Sequence, residues 1–214
     1  MSHEQLRSEV CEANRTLLSS GLVAMHSGNV SGLDRSSGQL FIKPSGMDYD
    51  KLTPEAMVQV DLDSGTPIGP LKPSVDLPHH LYLYRNMSDV CAIVHTHSNY
   101  ATAFAACEMA IPPVLTAIAD EFGGEIPCAP YVGNSADAIG RTIVKYRQSG
   151  PAVLLAHHGV FAWGTNVSQA LKAAVMVEDV AKTVFLAMQI GSPRALTRGE
   201  IKEWRERYTT RYGQ

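Results

Sequence analysis

Apolar residues recur along this chain with two periods, and the switches between them mark the expected elements. Leu6, Val10, Ala13 and Leu17 share one face at helical spacing, and that pattern closes at Gly21. Residues 28–46, "GNVSGLDRSSGQLFIKPSG", read as a turn, a loop of little periodicity, a short strand at Leu40–Lys43 and a second turn. "AMVQVDLDSG" predicts another strand closed by a turn, and Ser74-x-x-Leu77-Pro78 starts a helix through "HHLYLYRNM". "CAIVHTH" is an apolar strand, followed by a helix through "SNYATAFAACEMA" with Ser98 as its cap. A short strand is expected near "GEIPCAPYV" and a helix through "SADAIGRTIVKYRQSG". "PAVLLAHHGVFAWG" reads as two strands meeting at a His158-Gly159 corner. A long amphipathic helix begins at Asn166 and reaches Ile190, and a polar helix runs to the C-terminus. Interspersed strands and helices without a strict βαβ rhythm predict an α/β protein, a mixed sheet covered by helices.

Composition narrows the class. The 214 residues are 45% hydrophobic and 18% charged, as expected for one globular domain spanning 1–214. A formal net charge of −3 argues against a nucleic-acid partner bound through a broad basic face. No run approaches the ~18 apolar residues of a membrane span, and the polar start "MSHEQLRSEVCEANR" lacks a secretory signal's apolar core. The four cysteines (Cys11, Cys91, Cys107, Cys128) are scattered, with Cys91 and Cys107 in apolar surroundings. That pattern predicts free thiols and a cytoplasmic location.

Histidine placement carries the chemistry. His95 and His97 end an apolar strand two residues apart, so their imidazoles point to one face. His157 and His158 follow another apolar strand, and only one of them can join the pair. Asp76, near a helix start, offers a carboxylate, and three imidazoles plus a carboxylate form a donor set that zinc accepts. The competing reading is separately satisfied polar groups at strand ends, including an Asp76–His80 ion pair four residues apart on a helix. His3 and His26 have no supporting context. Gly28-Asn29, Ser45-Gly46 and Ser74 sit in turn-like clusters where backbone N–H groups and hydroxyls can cradle an anion, with Lys43 and Lys72 nearby to add charge. Phe161 and Trp163 read as core or pocket wall.

The ordered set "SGNVSG", "IKPSG", "KPSVD", "IVHTHS", "TAIADEFGG", "HHGVFAWG" and terminal "RYGQ" resembles the class II aldolase/adducin-head family across nearly the whole chain. Within it, the resemblance is strongest to the L-ribulose-5-phosphate 4-epimerases. It implies a three-layer α/β/α sandwich around a mixed, largely antiparallel sheet, and a homotetramer with sites between neighbouring subunits. It also implies a divalent metal, usually zinc, with manganese or cobalt able to occupy the same site. The metal ligands implied are His95, His97 and His158, with Asp76 beside or on the ion. Gly28, Asn29, Lys43, Ser45, Gly46 and Ser74 would hold a phosphorylated ketose. Asp120 would be the acid/base, with Asp76 also catalytic, and Tyr212 would reach a neighbour's site; the aromatic and basic content of "EWRERYTTRYGQ" itself fits docking onto a neighbour, with Arg207 or Arg211 reaching phosphate.

The activity so implied is inversion of C4 by retro-aldol cleavage and re-addition through a metal-held enediolate. The alternative is an L-fuculose-1-phosphate-type aldolase, in which the aldehyde leaves. Aspartate rather than glutamate at position 76, Asp120 and the "YGQ" end favour the epimerase. Against it, no histidine follows His158, where such epimerases carry one near the place of Ile201. The stretch between Tyr131 and Pro151 is also shorter than theirs. A decarboxylase of a phosphorylated keto-acid and a non-catalytic adducin-like module are the remaining readings.

Overall fold

The computed structural model describes residues 2–211. Its strands are β1 (Asn29–Asp34), β2 (Gln39–Ile42), β3 (Val58–Asp61), β4 (Pro67–Ile68), β5 (Ala92–Thr96), β6 (Cys128–Ala129), β7 (Ala152–Leu155) and β8 (Gly159–Gly164). The helices are α1 (His3–Ser19), α2 (Leu77–Asn86), α3 (Asn99–Ala106), α4 (Thr116–Phe122), α5 (Ala138–Tyr146), α6 (Val167–Ile190) and α7 (Arg198–Arg211). One eight-stranded sheet runs β4-β3-β2-β1-β5-β8-β7-β6. Only the β6–β7 pair is parallel.

Alternation along the strands divides the interior in two. Phe41, Ala92 and Val94 face a core shared with α1, α3 and α6, while Leu40, Ile42 and Ile93 face one shared with α2 and α5. The sheet is therefore the middle of three layers, as expected. Among the described residues no helix is long and apolar enough to cross a membrane.

Several expectations are corrected. The stretch read as a loop of little periodicity is β1, a central strand between β2 and β5. It lacks alternation because both faces are covered, so each position meets a particular neighbour. Gly32 admits α1, where a Cβ would come within 2.8 Å of Leu6 and Val10 side chains. Ser31, on the opposite face, bonds to His80 and Tyr84, each at 2.7 Å. The helix α4 has no counterpart in the periodicity reading. Ser98 occupies the N-cap position of α3 but makes no capping bond. Glu178 of α6 does that instead, accepting from Tyr100 N and Ala101 N at 2.9 Å each. Cys107 is exposed and Cys91 half-buried, so neither behaves as a core residue, although all four thiols are free. At Asn166 the expectation holds: its side chain accepts from Gln169 N and starts α6.

Candidate functional site

One strand end and one hairpin corner build a cluster of imidazoles. β5 delivers His95 and His97 from one edge, and the β7–β8 hairpin delivers His158. His157 adopts φ +58, which rotates the corner and sends its own ring outward to Glu108 at 3.0 Å. His158 is left to join the pair. The ligand nitrogens of His95, His97 and His158 all lie within 4.8 Å of one another, and His95 Nε2 is 3.0 Å from His97 Nε2.

The surroundings fix which nitrogen faces inward. His95 Nδ1 donates to the Val160 carbonyl at 2.8 Å, so its Nε2 lone pair points into the cluster, as in metal-binding histidines. The ring is buried and stacks on Phe161 at 4.3 Å. Burial pushes the pKa of His95, His97 and His158 below the ordinary histidine value, favouring the neutral, ligating form. Three converging neutral imidazoles fit a divalent ion of zinc type.

Asp76 lines a cavity with these rings but is not one of the three groups whose ligand atoms converge within 4.8 Å. One carboxylate oxygen accepts from Asn29 Nδ2 at 2.7 Å and from the Ser74 hydroxyl at 3.4 Å. Burial opposes ionisation of Asp76, but His95, His80 and the Asn29 amide outweigh it, and the carboxyl is held below its usual range. The Asp76–His80 ion pair is not formed. His80 Nδ1 bonds to Ser31 instead, and complete burial pushes this histidine down to about 4.

The loops named from the sequence converge on the same place. The two Lys-Pro-Ser segments lie side by side through a Pro44–Pro73 bridge, with Ser45 N donating to Lys72 O and Ser74 N to Lys43 O at 2.9 Å each. Tyr49 OH pins the 27–28 turn by donating to the Ser27 and Gly28 carbonyls. Gly28 has φ +74, and a Cβ there would lie 2.7 Å from the His95 carbonyl oxygen, so the turn needs glycine. Lys43 is buried, its ammonium 4.7 Å from the Tyr49 ring centre.

A cavity of about 190 Å³ joins these parts. Gly28, Asn29, Lys43, Ser45, Gly46 and Ser74 line it, together with Asp76 and the three imidazoles. Two further lining residues, His26 and Asn134, lacked a sequence signal. His26 is an isolated histidine in a loop, and Asn134 is held in place by a partner 55 residues away. Lys72 is exposed and outside the wall. Asp120 is also outside it, on α4, where Arg205 of α7 donates to its backbone carbonyl. Burial raises the Asp120 carboxyl pKa, with Arg207 and Arg205 acting against the shift. Tyr212 lies outside the described residues.

Residues 8–185 match the family model for the class II aldolase and adducin N-terminal domain. Among solved structures, an L-fuculose 1-phosphate aldolase superposes with a TM-score of 0.87 at 28% identity, covering 98% of this chain and 100% of the other. YgbL of Escherichia coli, a candidate aldolase/epimerase/decarboxylase, has a TM-score of 0.84 at 29% identity, covering 95% and 99%. YgbL of Klebsiella pneumoniae has a TM-score of 0.82 at 29% identity, covering 96% and 100%. The match spans the strands that present the imidazoles and the loops that face them, and the chain belongs to the class II aldolase and adducin N-terminal domain family.

Proposed function

We propose that this protein is a metal-dependent L-ribulose-5-phosphate 4-epimerase. The observation that carries the reading is one cavity in which a three-histidine donor set adjoins an anion cradle containing a buried lysine. His95, His97 and His158 would hold zinc, with Asp76 beside it; manganese or cobalt suits the same donors less well. When bound, the ion supplies Lewis-acid charge at the ketose oxygens during C–C bond cleavage.

The protein's own groups account for the rest. Lys43, Ser45 and Ser74, with the backbone at Gly28 and Gly46, bind the phosphate and keep its fragment from leaving. The C3–C4 bond breaks as the C4 hydroxyl gives up its proton, releasing glycolaldehyde phosphate within the cavity. That aldehyde turns, C3 attacks its other face, and the new C4 alkoxide takes a proton back. Asp76 lines the cavity with one oxygen tied to Asn29 at 2.7 Å, and as an aspartate it reaches less far toward these protons than the glutamate of the aldolase type. The acid/base is then Asp120 of a neighbouring copy in a homotetramer, with Tyr212 of the tail completing the site. Arg205 donates to the Asp120 backbone carbonyl, and the charges of Arg207 and Arg205 act on its carboxyl, in a chain with no C-terminal histidine to partner it. Four free thiols suit a cytoplasmic setting.

A second reading, an L-fuculose-1-phosphate-type aldolase, is favoured by the full-length likeness to such an enzyme. Metal-loaded protein given L-ribulose 5-phosphate, and separately L-fuculose 1-phosphate, decides between them. D-xylulose 5-phosphate without net cleavage is expected, and it should fall at least a hundredfold in Asp120→Asn (, on the order of 10²). Dihydroxyacetone phosphate from the second substrate instead would establish the aldolase.

A further inference from the structure

The connection between β6 and α5 carries no motif and belongs to neither the imidazole set nor the anion cradle. It nevertheless places one side chain, Asn134, in the cavity wall. Asn134 Oδ1 lies 2.5 Å from Nε2 of His79, an imidazole buried on α2 three residues after Asp76. An amide oxygen only accepts, so His79 Nε2 carries the hydrogen and donates it. The other ring nitrogen, Nδ1, is buried without a partner, as suits the bare nitrogen of that tautomer. Gly140 of α5 makes this approach feasible, since a Cβ there would lie 3.0 Å from the His79 carbonyl oxygen and 2.9 Å from Tyr82 Cβ. The connection leading into α5 is thereby drawn against α2.

The consequence is a directed donor. A solvent-exposed amide ordinarily rotates freely, but here a buried N–H holds its oxygen. The two Nδ2 hydrogens are then directed away from His79, and no described residue accepts them. We propose that Asn134 contacts substrate through this amide, donating to a hydroxyl or carbonyl oxygen of the sugar, and that His79 is the positioning residue that aims it. This deepens the functional reading above and rests on it for the substrate class, a phosphorylated polyhydroxy ketose. The anion cradle holds a phosphate whatever carbon chain it carries. A donor whose oxygen is already engaged distinguishes chains that place an oxygen opposite it from those that do not.

The test is calorimetry on zinc-loaded protein with L-ribulose 5-phosphate and, separately, inorganic phosphate. Asn134→Ala is expected to weaken the sugar phosphate about tenfold, the loss of one hydrogen bond, leaving inorganic phosphate affinity and zinc stoichiometry unchanged. His79→Leu should reproduce that loss. His79→Gln, whose side-chain amide can replace the ring N–H, should restore most of the affinity. Nitrogen-15 NMR of the wild type should show His79 with Nε2 protonated and Nδ1 bare; the opposite tautomer overturns the positioning role. Equal sugar-phosphate affinity in wild type and Asn134→Ala overturns the proposal, as does an equal loss for inorganic phosphate. A wild type that binds the sugar phosphate no better than inorganic phosphate also overturns it. Turnover is read apart from these affinities. A protein that shows the expected differences yet converts no L-ribulose 5-phosphate defeats the functional reading and leaves this inference standing.

Discussion

His97 and His158 share one small space because the backbone beneath them closes to contact distance. At Gly159, the first residue after His158, an added Cβ would lie 2.4 Å from the Thr96 carbonyl oxygen and 2.7 Å from His97 Cδ2. Neither neighbour is the loose end of a flexible chain, so the hairpin corner and β5 would have to part. Gly159→Ala should therefore separate the imidazoles rather than unfold the protein. Overpacking of this kind costs roughly 1–3 kcal/mol, and zinc affinity should fall about tenfold or more. Competition with a chromophoric chelator measures this, and unchanged affinity would show that the corner yields without moving His158. His157 illustrates the same dependence on backbone. Its φ of +58 separates two sequence-adjacent histidines into an inward and an outward ring. Sequence order left both eligible.

At the scale of elements, the site depends on how helices grip the strand ends. α3 starts just beyond His97, and its first amides are held by both carboxylate oxygens of Glu178. Ser98, the residue with the expected capping chemistry, keeps a buried hydroxyl with no partner. An ionised carboxylate meeting a helix N-terminus satisfies orphan donors and the helix dipole together. Glu178→Gln keeps the shape but loses the charge and one acceptor. It should destabilise the protein by about 1–2 kcal/mol in urea denaturation, and an unchanged midpoint would mean water caps α3 equally well. β1 makes the complementary case. Its Gly32 and Ser31 break the alternation that marks a strand, yet each answers a contact from one covering layer.

For the whole molecule, burial of histidines near the sheet makes stability depend on pH. His80 is pushed down to about 4 from an ordinary 6.5, and His95, His97 and His158 are also lowered, all chiefly by desolvation. Between those limits the unfolded chain binds protons that the folded chain does not, so stability rises with pH across the window. The contribution is fully present above about 6.5 and is lost as pH falls towards 4. The urea midpoint of metal-free protein should thus drop between pH 7 and pH 4.5 (, about the histidine range). A flat profile would mean that these rings protonate in place. Bound zinc should extend the stable range downward, because ligation competes with protons for the same nitrogens.

Local chemistry was sufficient for much of the site. Period-two spacing after an apolar run put His95 and His97 on one face, and glycine, serine and lysine in tight turns marked the loops that line the cavity beside them. Those features act through neighbours a few residues away, so they are legible along the chain. The long helix from Asn166 was legible for the same reason, since its cap and its repeat are both local. Other features depended on groups brought together from distant parts of the chain. The Glu178 cap joins residues 77 and 78 apart, and the Asn134–His79 contact joins residues 55 apart. The choice of His158 over His157 needed a left-handed corner, and the burial that lowers the imidazole pKa values needed the folded surroundings. The sequence by itself determined which residue types stand at strand ends and turns, because those preferences are short-range. Only the tertiary structure decided which of them meet, because packing selects contacts that no local period records.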